Sequence, residues 1–113
     1  MRTILFVFIS IAFLSNAYAQ EPITIAIVKY NGGGDWYANP SAMPNLIKEV
    51  KRRTKIPVAD TVATVSIMDN SLFQYPFIYI TGHGDIKLSN NEKIRLRRYL
   101  IGGGFLWADD NYG

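Results

Sequence analysis

The stretch Phe77-Ile78-Tyr79-Ile80-Thr81-Gly82-His83-Gly84-Asp85 decides the fold. Its first five residues are apolar but for the closing Thr81, and they read as a strand buried on both faces. A glycine-rich turn follows at once and carries the only histidine of the chain. A buried strand that ends in such a turn is the pattern of an α/β domain with a site at the strand's C-terminal end. It specifies a fold and a place, not a reaction.

Upstream, Ile23-Thr24-Ile25-Ala26-Ile27-Val28-Lys29-Tyr30 is a second strand of the same kind, broken by Asn31-Gly32-Gly33-Gly34-Asp35. Trp36, Tyr37, Asn39 and Pro40 extend that loop. Ser41 is then a helix N-cap candidate, and Pro44 falls in the first turn, where its missing donor breaks no helical bond. Met43, Leu46, Ile47 and Val50 recur at helical spacing and form one apolar stripe. Lys48, Lys51, Arg52, Arg53 and Lys55 crowd the helix C-terminus, where cations suit the dipole. Pro57 marks the stop.

Val62 to Met68 reads as a weaker strand, and Asp69 to Gln74 as a helical turn leading into Tyr75-Pro76. After the central strand, Ser89 and Glu92 match a capping box. The helix they open should bury Leu96, Tyr99 and Leu100 and end at Gly102-Gly103. Phe105 to Ala108 is the last strand, with Asp109-Asp110-Asn111 at its end.

Strands alternating with helices imply a parallel sheet with right-handed crossovers. The expected architecture is a three-layer α/β/α sandwich with flavodoxin-like strand order 2-1-3-4. That order puts the first and third strands side by side, with their following connections leaving on opposite faces. Such a switch point is where these folds bind ligands. The loops 31–37 and 82–85 should meet there, with Asp109 and Asp110 beside them. In this order the third and fourth strands lack a helix on one face, which predicts a domain cut short at its C-terminus.

The N-terminus reads differently. Arg2, the apolar run Ile4 to Leu14, and Ala17-Tyr18-Ala19 form a secretory signal cleaved after Ala19. This leaves residues 20–113 as one partial domain, exported to a periplasm or the medium, with no stable membrane span after cleavage. Loss of Arg2 takes the formal charge from +3 to +2, since no acid is lost with it. Nucleic acid is not an expected partner for such a protein, and the sequence leaves the oligomeric state open. With no cysteine in the chain, disulfides, lipidated cysteine and a thiol nucleophile are excluded. A G-x-S-x-G serine elbow is absent as well.

Three segments carry polar chemistry. His83 between Gly82 and Gly84 suits a turn residue bonding its neighbours, an acid–base or ligand-binding residue, or a lone metal ligand. Gly32, Gly33 and Gly34 could present backbone N–H groups to an anion, but GK[ST] and G-x-G-x-x-G are both absent. Trp36 and Tyr37 could stack on a sugar or peptide, or fold back as loop core. Asp109 and Asp110, adjacent on a strand, should point to opposite sides. With Asn111 they suit a hard cation, or one of them caps a following helix. No cofactor is expected.

Ile25 to Tyr37, Tyr79 to Gly84 and Gly103 to Gly113 resemble three ordered motifs of the bacterial family called domain of unknown function 4159. That family is similar in fold to class I glutamine amidotransferases and ThuA-like proteins, and the resemblance implies a longer domain. In amidotransferases of this fold the nucleophilic cysteine follows a central strand. The Gly-Gly-led strand here resembles that strand, but Asp109-Asp110 stands where the cysteine would be. The resemblance therefore implies a domain without glutaminase activity. From the converging loops, the leading expectation is a domain that binds a small polar ligand or envelope carbohydrate, with Asn31, Gly32, Gly33, Gly34, Asp35, Trp36, Tyr37, Gly82, His83, Gly84, Asp109, Asp110 and Asn111 lining the site. The rivals are a hydrolase using His83 with a carboxylate such as Asp109 or a metal, and an envelope interaction module.

Overall fold

A computed structural model describes residues 19–111. The proposed signal sequence lies outside the described residues, except for Ala19. Four strands, β1 (Ile25–Val28), β2 (Ala63–Val65), β3 (Phe77–Gly82) and β4 (Phe105–Asp110), form one sheet in the order β2-β1-β3-β4. All three pairings are parallel, with Ile27 opposite both Thr64 and Tyr79, and Tyr79 opposite Trp107. The expected order and direction are those observed. The strands are shorter at the sheet's β2 side than the sequence suggests. Beyond β2, Ile67 stays buried without pairing.

Helices cover both faces. On one, α1 (Ala42–Arg53) lays Met43 and Ile47 against Ile25 and Tyr79, with Leu46 and Val50 beside them. Fully burying each such side chain contributes roughly 1.5–3 kcal/mol. Ser41 occupies the N-cap position but has a helical backbone and makes no side-chain cap bond. The first turn relies instead on backbone bonds from Ala42 to the Asn39 carbonyl and from Asn45 to the Ser41 carbonyl. Glu49 bonds both Arg52 and Arg53, which together hold its carboxyl below the ordinary carboxylate range.

The other face is covered by α2 (Asn90–Ile101) and a 3₁₀ turn over Asn70–Gln74. Ala26, Val28, Ile78 and Ile80 meet Val65, Ile67, Leu72 and Tyr99 there. The capping box is complete, with Glu92 N–H donating to Ser89 Oγ and Ser89 N–H to Glu92 Oε2. Gly103 takes the left-handed conformation at φ 98° just past the helix. Tyr99 is buried and Leu96 half-buried, but Leu100 is 44% exposed, contrary to expectation. One residue past Tyr99 is a rotation of about 100° around the helix, which turns Leu100 away from the core that Tyr99 enters.

A second correction concerns β4. It runs through Asp109 and Asp110 instead of ending at Ala108, because Thr81 and Gly82 offer them ladder partners. On the α1 side of the sheet, α1 reaches only as far as β3. Phe77, Phe105 and Trp107 pack on each other beyond it, and Phe105 and Trp107 remain 56% and 43% exposed. No helix among the described residues is long and apolar enough to cross a membrane.

Candidate functional site

The organiser of the sheet's C-terminal edge is Tyr30, two residues past β1. Its phenol is buried and donates to the Thr81 carbonyl at 3.0 Å, tying the end of β1 to the end of β3. Burial first, and the Asp35 carboxylate second, push its pKa above the ordinary phenol value.

Over this phenol the two glycine-rich loops meet, as the switch-point topology requires. Gly34 N–H donates to the Asp85 carbonyl at 3.2 Å, and Lys87 N–H to the Asn31 carbonyl at 2.7 Å. Asp35 and His83 face each other: Asp35 N–H donates to the His83 carbonyl at 3.1 Å, and His83 N–H donates to Asp35 Oδ1. Asn31 and Lys87 form an antiparallel bridge.

This zipper explains three of the glycines. A Cβ on Gly82, at φ 139°, would run into the Tyr30 hydroxyl and Asp35. On Gly34 it would come within 2.6 Å of the same hydroxyl, and on Gly32 it would meet the Asp85 carbonyl. These residues let the loops approach each other. Two N–H groups of the Gly32–Asp35 segment are spent on the opposite loop, which removes them from an anion nest. Gly33 is the exception, with φ 91° and open space around it.

Past the zipper lies a groove of about 190 Å³ between the ends of β3 and β4. Ile80, Thr81, Gly82, Gly84, Ile86, Ala108, Asp109 and Asp110 line it. Strand alternation sets Ile80, Gly82, Ala108 and Asp110 on the α2 side, so the groove has an apolar floor and a carboxylate rim. Asp109 points to the α1 side, where the Tyr79 phenol donates to its Oδ2 at 3.1 Å. The adjacent carboxylates do diverge.

The other sequence-predicted residues divide in two. Asp109, Asp110, Gly82 and Gly84 line the groove, and Asn111 adjoins it through Asn39, whose side-chain amide donates to Asn111 Oδ1 at 2.6 Å. Asn31, Gly32, Gly34, Asp35 and the His83 backbone build the zipper and do not line it. His83 is exposed and held through its backbone. Trp36 is half-buried against the core, with Lys29 Nζ 5.7 Å from its ring centre, so it is the loop-core alternative that applies. Tyr37 packs edge-on against Trp36 and is 67% exposed. Among the described residues, no group of three or more His, Cys, Asp or Glu side chains could hold a metal ion.

Residues missed by sequence reasoning are Tyr30, Asn39, Tyr79 and Ile86. Asn39 also donates to Thr81 Oγ1 at 2.8 Å from a left-handed backbone at φ 55°. An asparagine between a glycine-rich loop and Pro40 is a recognisable left-handed signal. Tyr30 and Tyr79 read as ordinary strand residues, and only the fold gives their hydroxyls partners.

Residues 24–113 match the model of a family described as Domain of unknown function (DUF4159). No curated protein matches the chain.

Proposed function

The chain belongs to the family described as Domain of unknown function (DUF4159), and from that premise we propose that it binds a small polar ligand in the groove at the C-terminal edge of β3 and β4. The observation that carries this reading is the groove itself. Concave sites with an apolar floor and a few convergent polar groups are how folds hold small molecules, and an open parallel sheet places them at this edge. The floor of Ile80, Ile86 and Ala108 suits a carbon skeleton, while Asp110 and the Gly84 backbone suit its polar substituents.

The domain acts without glutaminase chemistry in this reading. The support is compositional, because the chain has no cysteine and Asp109-Asp110 occupies the strand end. Kinship with the class I glutamine amidotransferase-like and ThuA-like folds belongs to the same proposal and is supported by the parallel order β2-β1-β3-β4. So does export, supported by Arg2, the Ile4 to Leu14 run and the Ala17-Tyr18-Ala19 motif. The ligand is accordingly one found in the envelope or its surroundings.

The test is a titration of isotope-labelled protein with a panel of neutral, cationic and anionic polar molecules. The backbone resonances of Gly82, Gly84, Ala108 and Asp110 should move together and saturate with at least one of them. Asp110→Asn should weaken that response. A panel that leaves all four resonances in place would overturn the reading.

A further inference from the structure

The outward side of α2 is built unlike a solvated helix face. Tyr99 enters the core, with Leu96 half-buried beside it. At about 100° per residue, the pole opposite Tyr99 falls on Ile94, Arg97 and Ile101. A surface helix ordinarily keeps that pole polar, yet Ile94 is 53% exposed and Ile101 77%. Lys93, Arg97 and Arg98, all exposed, stand around these two side chains. None of these cations forms an ion pair with another described residue. The only acid of the helix, Glu92, is engaged in the capping box. On α1 the cations are answered instead: Glu49 pairs with Arg52 and Arg53, and Lys51 with Asp60. No large apolar side chain of α1 is exposed.

An aliphatic pole ringed by unanswered cations complements an anionic bilayer surface. A helix of this kind lies in the plane of the interface, with its apolar side chains at the acyl boundary and its cations at the phosphates. Free phosphate or a flexible acidic peptide would satisfy Arg97 and Arg98 but leave Ile94 and Ile101 in water. A wholly apolar cover would bury the guanidinium groups without partners. An element packed over β4 would lie beside α2, not on its outer pole, because each covering layer of this architecture is one helix deep. Phe73 of the 3₁₀ turn continues the flank of the face. It is 52% exposed, with its ring centre 5.1 Å from the Arg95 guanidinium carbon.

We infer that the outer face of α2 docks on the surface of an anionic phospholipid bilayer, with Ile94 and Ile101 entering the interface and Lys93, Arg97 and Arg98 meeting the lipid phosphates. The inference is independent of the groove between β3 and β4, with which this face shares no residue.

The full chain has no cysteine, so Ile101→Cys and, on α1, Lys48→Cys each give a unique attachment point for a polarity-sensitive fluorophore. Both positions are exposed, as are those varied below, so the fold tolerates the changes. The readout is local because the apolar run Ile4 to Leu14 partitions into lipid by itself. Each labelled protein is titrated with vesicles of phosphatidylcholine alone and of phosphatidylcholine mixed equally with phosphatidylglycerol. The Ile101 label should shift to the blue saturably on the anionic vesicles and far less on the neutral ones. The Lys48 label should shift on neither, and added salt should reverse the Ile101 shift. Arg97→Gln with Arg98→Gln should weaken the Ile101 response by about tenfold or more. Ile94→Ser should weaken it with its salt dependence intact. Lys48→Gln with Lys55→Gln removes as much charge from the α1 side and should leave the Ile101 response nearly unchanged. An unshifted Ile101 label, an equal shift on neutral vesicles or at Lys48, or an equal loss in the α1-side variant would overturn the inference. Soluble polyglutamate stands for an acidic protein partner. Should it shift the Ile101 label as the anionic vesicles do, the face is a polyanion site and bilayer docking falls.

Discussion

The Tyr30 phenol donates to the Thr81 carbonyl at 3.0 Å, and a side chain on Gly82 would collide with that same phenol. One hydroxyl thus joins two strand ends and dictates that the residue after Thr81 lack a side chain. Tyr30→Phe should cost about 1–2 kcal/mol, because it leaves a carbonyl at the end of β3 without its donor. Gly82→Ala should cost more, on the order of 2–4 kcal/mol, since it adds a clash to an unfavourable positive φ. Gly33→Ala meets open space and should cost only the backbone strain, about 1–2 kcal/mol. Urea denaturation of the three variants would rank them. A Gly82→Ala protein as stable as Gly33→Ala would refute the packing argument.

Alkaline pH tests the same phenol by linkage. Burial and Asp35 raise its folded pKa, and burial also raises that of Tyr99. An unfolded tyrosine ionises around 10.0, while the folded phenols stay protonated beyond it. Above that value the folded state therefore binds more protons than the unfolded state, and stability falls as pH rises. The contribution is fully present below the unfolded value and is lost as pH climbs through the folded one. Denaturation midpoints measured upward from pH 8 should be flat at first and then decline past about pH 10. Tyr30→Phe should make that decline shallower.

At the other end of α2, Ser89 and Glu92 exchange two hydrogen bonds, and Ser89→Ala removes one of them. The expected loss is about 1 kcal/mol. Combining it with Glu92→Ala should cost less than the two single losses added together, because the pair acts as one device. Strict additivity in that double-mutant cycle would contradict reciprocal capping.

Parts of this molecule were legible in the sequence for definable reasons. Both buried strands, β1 and β3, announce themselves through continuous apolar runs, and the Ser89–Glu92 spacing announces α2. Alternation of elements then sufficed for the order β2-β1-β3-β4 and for the meeting of the loops. The site was less legible. Gly32, Gly34 and Gly82 read as room for a ligand, yet their space is taken by Tyr30 and the opposite loop, a contact between residues some fifty positions apart. Asp109 and Asp110 read as the tail of a strand. Local propensity says they should end it, but the ladder with Thr81 and Gly82 carries it on. Asn39 escaped the site list because its partners, Thr81 and Asn111, come from two other strand ends.

The aromatic pair Phe77–Phe105 gives a prediction about association. Phe105 is 56% exposed at the edge strand, 5.1 Å from Phe77. Edge strands that display large apolar side chains promote self-association. Phe105→Thr places a strand-favouring, β-branched residue there and removes the exposed ring. Light scattering should show less association at high concentration, while stability changes by about 1 kcal/mol or less. Unchanged scattering would mean that association, if any, occurs elsewhere.

The Asp35–His83 pair separates backbone from side-chain roles most sharply. Asp35 accepts the His83 N–H through Oδ1 and donates its own N–H to the His83 carbonyl. Both bonds survive in His83→Ala, so the zipper should hold and the melting temperature should shift by only a few degrees, the equivalent of about 1 kcal/mol or less. His83→Pro deletes the N–H that Asp35 accepts and should open the loop. Asp35→Ala should do the same from the other side, with a loss of about 1.5–3 kcal/mol for a bond to a charged group. Asp35→Asn keeps a carbonyl acceptor and should fall between. Hydrogen exchange at Gly34 and His83 reports the opening directly. Protection should persist in His83→Ala and collapse in Asp35→Ala. Equal loss of protection in His83→Ala would show that the imidazole, not the backbone, holds the two loops together.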